Sequence, residues 1–232
     1  MTFDEITAAL KGSDDIPKAA LAASVAHAGD LAPLVFDLAD AFCRGTYLLP
    51  GENDFLFFGL QSLATARQPG LCAKVLEIAR QPTQDIEGLF PDYITTGLAR
   101  LLLSSWDRDG ADLLDLIEHG GMEHQAKWAL YDVLARLTYD GRIPRETTVA
   151  FLARIERDGL IDGADMTWWG WEQAVVALGV DRVRAGLATR LDQTEQSDAM
   201  GNRPGRNARR IATQCQGDRR TWHFPGGGHP GH

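Results

Sequence analysis

The spacing of apolar residues constrains this chain more than any other feature. From the N-terminus to about residue 191 they recur every three or four positions, the period of helices with one buried face, and no stretch alternates convincingly as a half-buried strand would. Gly, Pro and Asp punctuate the pattern at short intervals. The expectation is an all-α chain of many short helices, whose stability must come from packing them against one another.

Reading the punctuation gives the elements. Thr2 and Glu5 have capping-box spacing, so a first helix spans residues 2–11 and ends at Gly12. Asp15 and Pro17 open a second, 16–28, which Gly29-Asp30 is expected to break. Asp30 and Pro33 open a third, 31–47, and Pro50-Gly51 reads as a turn. Four helical hairpins follow, at 53–80, 92–118, 123–158 and 166–191. Their turns are Gln68-Pro69-Gly70, Asp107 to Gly110, Asp140 to Ile143, and Gly179-Val180. The hairpins start 39, 31 and 43 residues apart. One hairpin cannot bury its apolar face alone, and a period near ~40 residues is that of HEAT-like α-α superhelices, in which neighbours share a continuous core. In the third hairpin Trp128, Leu130, Tyr131, Leu134 and Leu137 form one stripe, answered by Val149, Leu152 and Ile155. The reading is one helical-repeat domain over 1–192. Residues 193–232, rich in Gly, Pro and Arg, bury too little to offset chain entropy and are expected to lack a fixed fold.

Charge narrows the function classes. Residues 1–199 carry 17 basic against 31 acidic side chains, and residues 200–232 carry six arginines against one aspartate. An acidic body offers no phosphate-binding footprint, so a specific nucleic-acid partner is not expected; a partner with a basic stretch is. The tail arginines have only Trp222 and Phe224 to interleave with, too little for a base-stacking groove. Cys43, Cys72 and Cys215 form no CxxC pair, which suits a reducing compartment. The N-terminal ten residues lack the basic start and apolar stretch of a signal peptide, and no apolar run reads as a membrane span, so the expected location is cytoplasmic, with no membrane partner.

Several motifs together resemble an uncharacterised bacterial family, Domain of Unknown Function 1186. They are Phe55-Leu56-Phe57-Phe58-Gly59-Leu60, the acidic segment from Asp85 to Asp92, Trp128-Ala129-Leu130, the Asp140-Gly141-Arg142-Ile143-Pro144 turn, and Trp168-Trp169-Gly170-Trp171. The resemblance spans Asp54 to about Leu191. It implies a helical-repeat fold and no known activity. Some members carry a Cys-rich SEC-C zinc motif at the C-terminus. Here Pro204 to Ala208 resembles its lead-in, but only Cys215 follows, so a degenerate or frame-shifted tail is expected and no zinc module.

No GxSxG motif or Gly-rich phosphate loop is present, so no catalytic residue is assigned and no cofactor is implied. Asp107-Arg108-Asp109-Gly110 imitates part of a calcium loop, but Ser105 and Leu116 would fill its first and last ligand positions; Asp109 or Asp112 at a helix N-terminus accounts for the acids. His119 and His124 are five apart across Gly120-Gly121, not the spacing of a helical zinc pair. With Glu123 they define the rival reading, an enzyme with an inter-repeat pocket. A metal-linked accessory protein is the third, although Cys215, His223, His229 and His232 form no compact ligand set and no metal site is assigned. The leading expectation is a non-catalytic protein-binding or scaffold module. Its candidate contact surface is Trp168, Trp169 and Trp171 with Asp162, Asp165 and Glu172. Trp168 and Trp171 share a helix face and Trp169 points elsewhere.

Overall fold

A computed structural model describes residues 1–12, 16–90, 94–160 and 167–180. Of these, 77% are helical and none is in a strand. The helices are α1 (Phe3–Lys11), α2 (Lys18–Ser24), α3 (Ala28–Cys43), α4 (Pro50–Thr65), α5 (Leu71–Ala79), α6 (Thr83–Leu89), α7 (Ile94–Ser105), α8 (Gly110–His119), α9 (His124–Tyr139), α10 (Arg145–Arg157) and α11 (Thr167–Ala177), with a 3-10 turn at Val25–His27. They fall in one compact unit, Met1–Val180. The expected second helix of the last hairpin, the 193–232 tail, and Asp162 and Asp165 lie outside the described residues.

Local chemistry sets the helix ends. Thr2 Oγ1 accepts Glu5 N–H and the Glu5 carboxylate accepts Thr2 N–H, a complete capping box. Asp109 Oδ1 accepts Asp112 N–H at 2.9 Å, so the acid of the calcium-like segment is the N-cap of α8. Pro50 and Gly51 are the first helical residues of α4, not a turn before it: proline has no N–H to lose at that position, and Glu52 accepts Leu49 N–H at 2.9 Å. The expected break at Gly29-Asp30 is absent. The chain tightens instead into the 3-10 turn at Val25–His27, and α3 runs through Pro33, whose missing N–H falls in the second turn. The segment Lys18–Cys43 thereby becomes 26 residues of helix, long and apolar enough to cross a membrane by length and composition, with a third of its most apolar window buried. An amphipathic helix docked on a core passes the same test: Leu31, Ala32, Val35 and Ala39 are buried while Asp30 and Asp37 are exposed. The remaining addition is α6, hidden in the sequence by Pro82 and Gly88.

Packing follows the hairpin pattern. α4, α7, α9 and α11 form a row in which each helix packs against the next, with the most extensive contacts on either side of α9. α3, α5, α8 and α10 back this row, and α1 and α2 lie on α4. The core is the apolar layer between, including Phe55, Leu60, Leu76, Leu102, Leu130, Tyr131, Leu134, Leu152 and Trp171. Ion pairs tie the backing helices together. Lys74 bridges Asp40 of α3 and Glu77, and the Arg154 guanidinium takes both Glu118 oxygens at 2.7 and 2.5 Å, joining α10 to α8. The turn after α9 and the start of α10 bind both neighbours: Arg142 donates to the Trp106 carbonyl just past α7, and Arg145 to the Leu178 carbonyl just past α11. Cations placed at two helix C-termini match the dipole there.

Candidate functional site: the α9–α11 junction

The Trp168 segment forms α11, and its three tryptophans have three different environments. Trp171 is fully buried, and its indole N–H donates to the Leu152 carbonyl of α10 at 3.0 Å. Trp168 is half-buried and stacks on Trp171, with ring centroids 4.9 Å apart and an interplanar angle of 23°. The two therefore share a face, as the spacing of three requires. Trp169 is 41% exposed and turns the other way, meeting Trp128 of α9 with centroids 6.0 Å apart, tilted by 48°.

Gly170 explains why Trp169 and Trp128 meet. A Cβ at position 170 would sit 2.7 Å from Trp128 Cα, so the backbones of α9 and α11 touch there as only glycine permits. The Trp128 indole N–H donates to Gln173 Oε1 at 3.1 Å, one turn beyond Trp169. The sequence pattern places Trp128 in the apolar stripe of α9. It is half-buried at the edge of that stripe, whereas Leu130, Tyr131, Leu134 and Leu137 are fully interior. Of the answering stripe, Leu152 and Ile155 are buried and Val149 is half-buried.

Between α7 and α11 only a narrow strip of α9 reaches solvent. At helical spacing it contains Gln125, Trp128, Asp132, Arg136 and Tyr139. Asp132 is half-buried at the centre of this strip. Burial pushes its carboxyl up to about 6, and no described residue pairs with it. Arg136, one turn on, is held by Asp140 at 3.0 Å. Glu172, also raised by burial, belongs with Trp168 to a different face of α11 from Trp169 and Gln173.

The residues of the rival reading are engaged separately. His119 is exposed on α8 with Nδ1 3.0 Å from Asp115 Oδ1. Glu123 reaches across to α6 and accepts Thr83 N–H at 2.9 Å, and hydrogen bonding from Thr83 holds its carboxyl below the usual range. His124 opens α9. No group of three or more His, Cys, Asp or Glu side chains among the described residues is arranged to hold a metal ion. Burial, followed by the Glu77 and Asp40 charges, pushes the Cys43 thiol up to about 11, and burial does the same to Cys72. Both are held protonated and weakly nucleophilic.

The contact surface expected from the sequence contains Trp168, Trp169, Trp171 and Glu172 but not Trp128 and Gln173, which adjoin Trp169, nor Asp132, one turn along α9 from Trp128. The one available signal was Gly170 within Trp168-Trp169-Gly170-Trp171, since a glycine inside an apolar helix suggests close backbone approach. Compared with known proteins, the chain matches no family model, no curated protein and no solved structure.

Proposed function

We propose that this chain is a non-catalytic binding scaffold: a HEAT-like stack of helical hairpins whose surface holds a protein partner carrying a basic segment. One observation carries the reading. A large aromatic, Trp169, is left 41% exposed beside the close backbone approach of α9 and α11 at Gly170. Exposed tryptophans on fixed supports are the anchors on which protein interfaces concentrate their binding energy. The acid excess of residues 1–199 supplies the charge preference. The Trp168 segment thus remains the proposed contact region, with Trp169 as its outward-facing member; Trp171 has no exposed surface to offer a partner.

The same reading keeps the resemblance to the Domain of Unknown Function 1186 family. Its Phe55–Leu60 motif lies inside α4, and its Asp140–Pro144 turn joins α9 to α10. A cytoplasmic location goes with it, suited by the free thiols of Cys43 and Cys72. The test is affinity capture from lysate with the full chain and its Trp169→Ala variant, at low and high salt. The expected result is a partner retained at low salt, released at high salt and lost with Trp169→Ala. No partner at low salt, or the same partner on both proteins, overturns the proposal.

A further inference from the structure

The α9–α11 junction holds more than an exposed aromatic. Trp128 and Trp169 lie side by side with tilted indole rings, and the Trp128 N–H donates to Gln173 of α11. Asp132 follows Trp128 by one helical turn on the same solvent strip, and none of the described cations neutralises it. Arg136, the cation one turn further along, is already bound by Asp140. Proteins rarely keep a desolvated carboxylate without a partner, because burial penalises its charge and nothing offsets the penalty.

We propose that this junction is a seat for a single arginine side chain of the protein partner, its guanidinium stacked on the Trp169–Trp128 pair and its N–H groups directed to the Asp132 carboxylate. The inference rests on the basic-partner reading above and deepens it. Three features select this occupant. The aromatic faces attract a cation through their quadrupoles. The carboxylate supplies the charge complement and accepts a forked donor. Arginine is planar and weakly hydrated, so it stacks and leaves water more readily than lysine. The contact residues are Trp128, Trp169, Asp132 and Gln173. Trp168 and Glu172, on another face of α11, are not among them.

The test uses the full chain and a fluorescein-labelled peptide of four Arg-Gly-Ser repeats, with the Lys-Gly-Ser counterpart as control, read by fluorescence anisotropy. The arginine peptide is expected to bind several-fold more tightly than the lysine peptide. Trp169→Ala and Asp132→Asn should each weaken it about tenfold, the scale of one cation–π contact or one charge-assisted hydrogen bond. Glu172→Gln should leave it unchanged. Thermal melts of each variant confirm the fold, and Asp132→Asn should melt no lower than the parent. Arginine-peptide binding that survives both substitutions overturns the seat while leaving the basic-partner reading standing, as does loss with Glu172→Gln instead. Equal affinity for the lysine peptide overturns the stacking argument. Absence of binding to either peptide overturns both proposals.

Discussion

Trp169 and Trp171 lie two positions apart and do opposite things. Trp171 fills the space between α11 and α10, with its indole N–H satisfied by the Leu152 carbonyl. Replacing it with Ala removes a large buried ring, and urea denaturation should show a loss of about 3–5 kcal/mol. Trp169→Ala removes a ring that is 41% exposed but packs on Trp128, and the same measurement should show a smaller loss of about 1 kcal/mol. Asp132 is the residue whose stability effect depends on pH. Its carboxyl ionises near 6 in the folded chain against 3.8 ordinarily. Below the ordinary value it is neutral in both states and does no harm. As pH rises from about 4 through 6 the unfolded chain releases its proton first, and the folded state loses stability. Glu118, held low by Arg154, acts oppositely, so comparison with a variant isolates the effect. Asp132→Asn should be more stable than the parent by about 1 kcal/mol at pH 7.5, after discounting for screening at a half-exposed site, and by nearly nothing at pH 4. Equal melting differences at both pH values would contradict this.

At the scale of elements, close backbone approaches set the register. Gly170 lets α11 lie against Trp128, and Gly59 lets α4 lie against Val35, where a Cβ would meet Val35 Cγ2 at 2.4 Å. Gly170→Ala pushes on backbone as well as side chain. It should cost about 2 kcal/mol or more by urea denaturation, despite alanine's better helix propensity. An unchanged midpoint would mean that the helices do not touch there. The hairpin pattern was legible because capping and turn signals are local: Thr2 with Glu5, Asp109, and the turn from Asp140 to Ile143 all operate within a few residues. The errors have local causes too. Gly29-Asp30 and Pro50-Gly51 are turn dipeptides by composition, but both lie within the first helical turn, where proline and glycine are tolerated. The candidate site was half legible. Trp169 is conspicuous in the sequence, but its neighbour Trp128 lies 41 positions away, and periodicity carries no information about which turn of one helix faces which turn of another.

For the whole molecule, the arrangement in rows has a consequence for cooperativity. α9 and α11 contact each other and their hairpin partners, while α1 to α4 form their own cluster at the other end of the row. Where each helix packs chiefly on its neighbours along a row, a defect stays near its origin. Hydrogen exchange on Gly170→Ala should show protection lost in α9, α10 and α11 and retained in α1, α3 and α4; uniform loss would mean a single cooperative core. On the proposed geometry the α9–α11 junction, and not the Trp168–Trp171 stack, meets the partner's cation. The indole ¹⁵N–H resonances, each assigned by Trp→Phe substitution, tell the two apart. On titration with the arginine peptide, the Trp169 and Trp128 signals should move together and saturate, while the buried Trp171 and Trp106 signals stay in place. Shifts confined to Trp168 and Trp171, or no indole shift at a peptide concentration that saturates binding, would contradict the account.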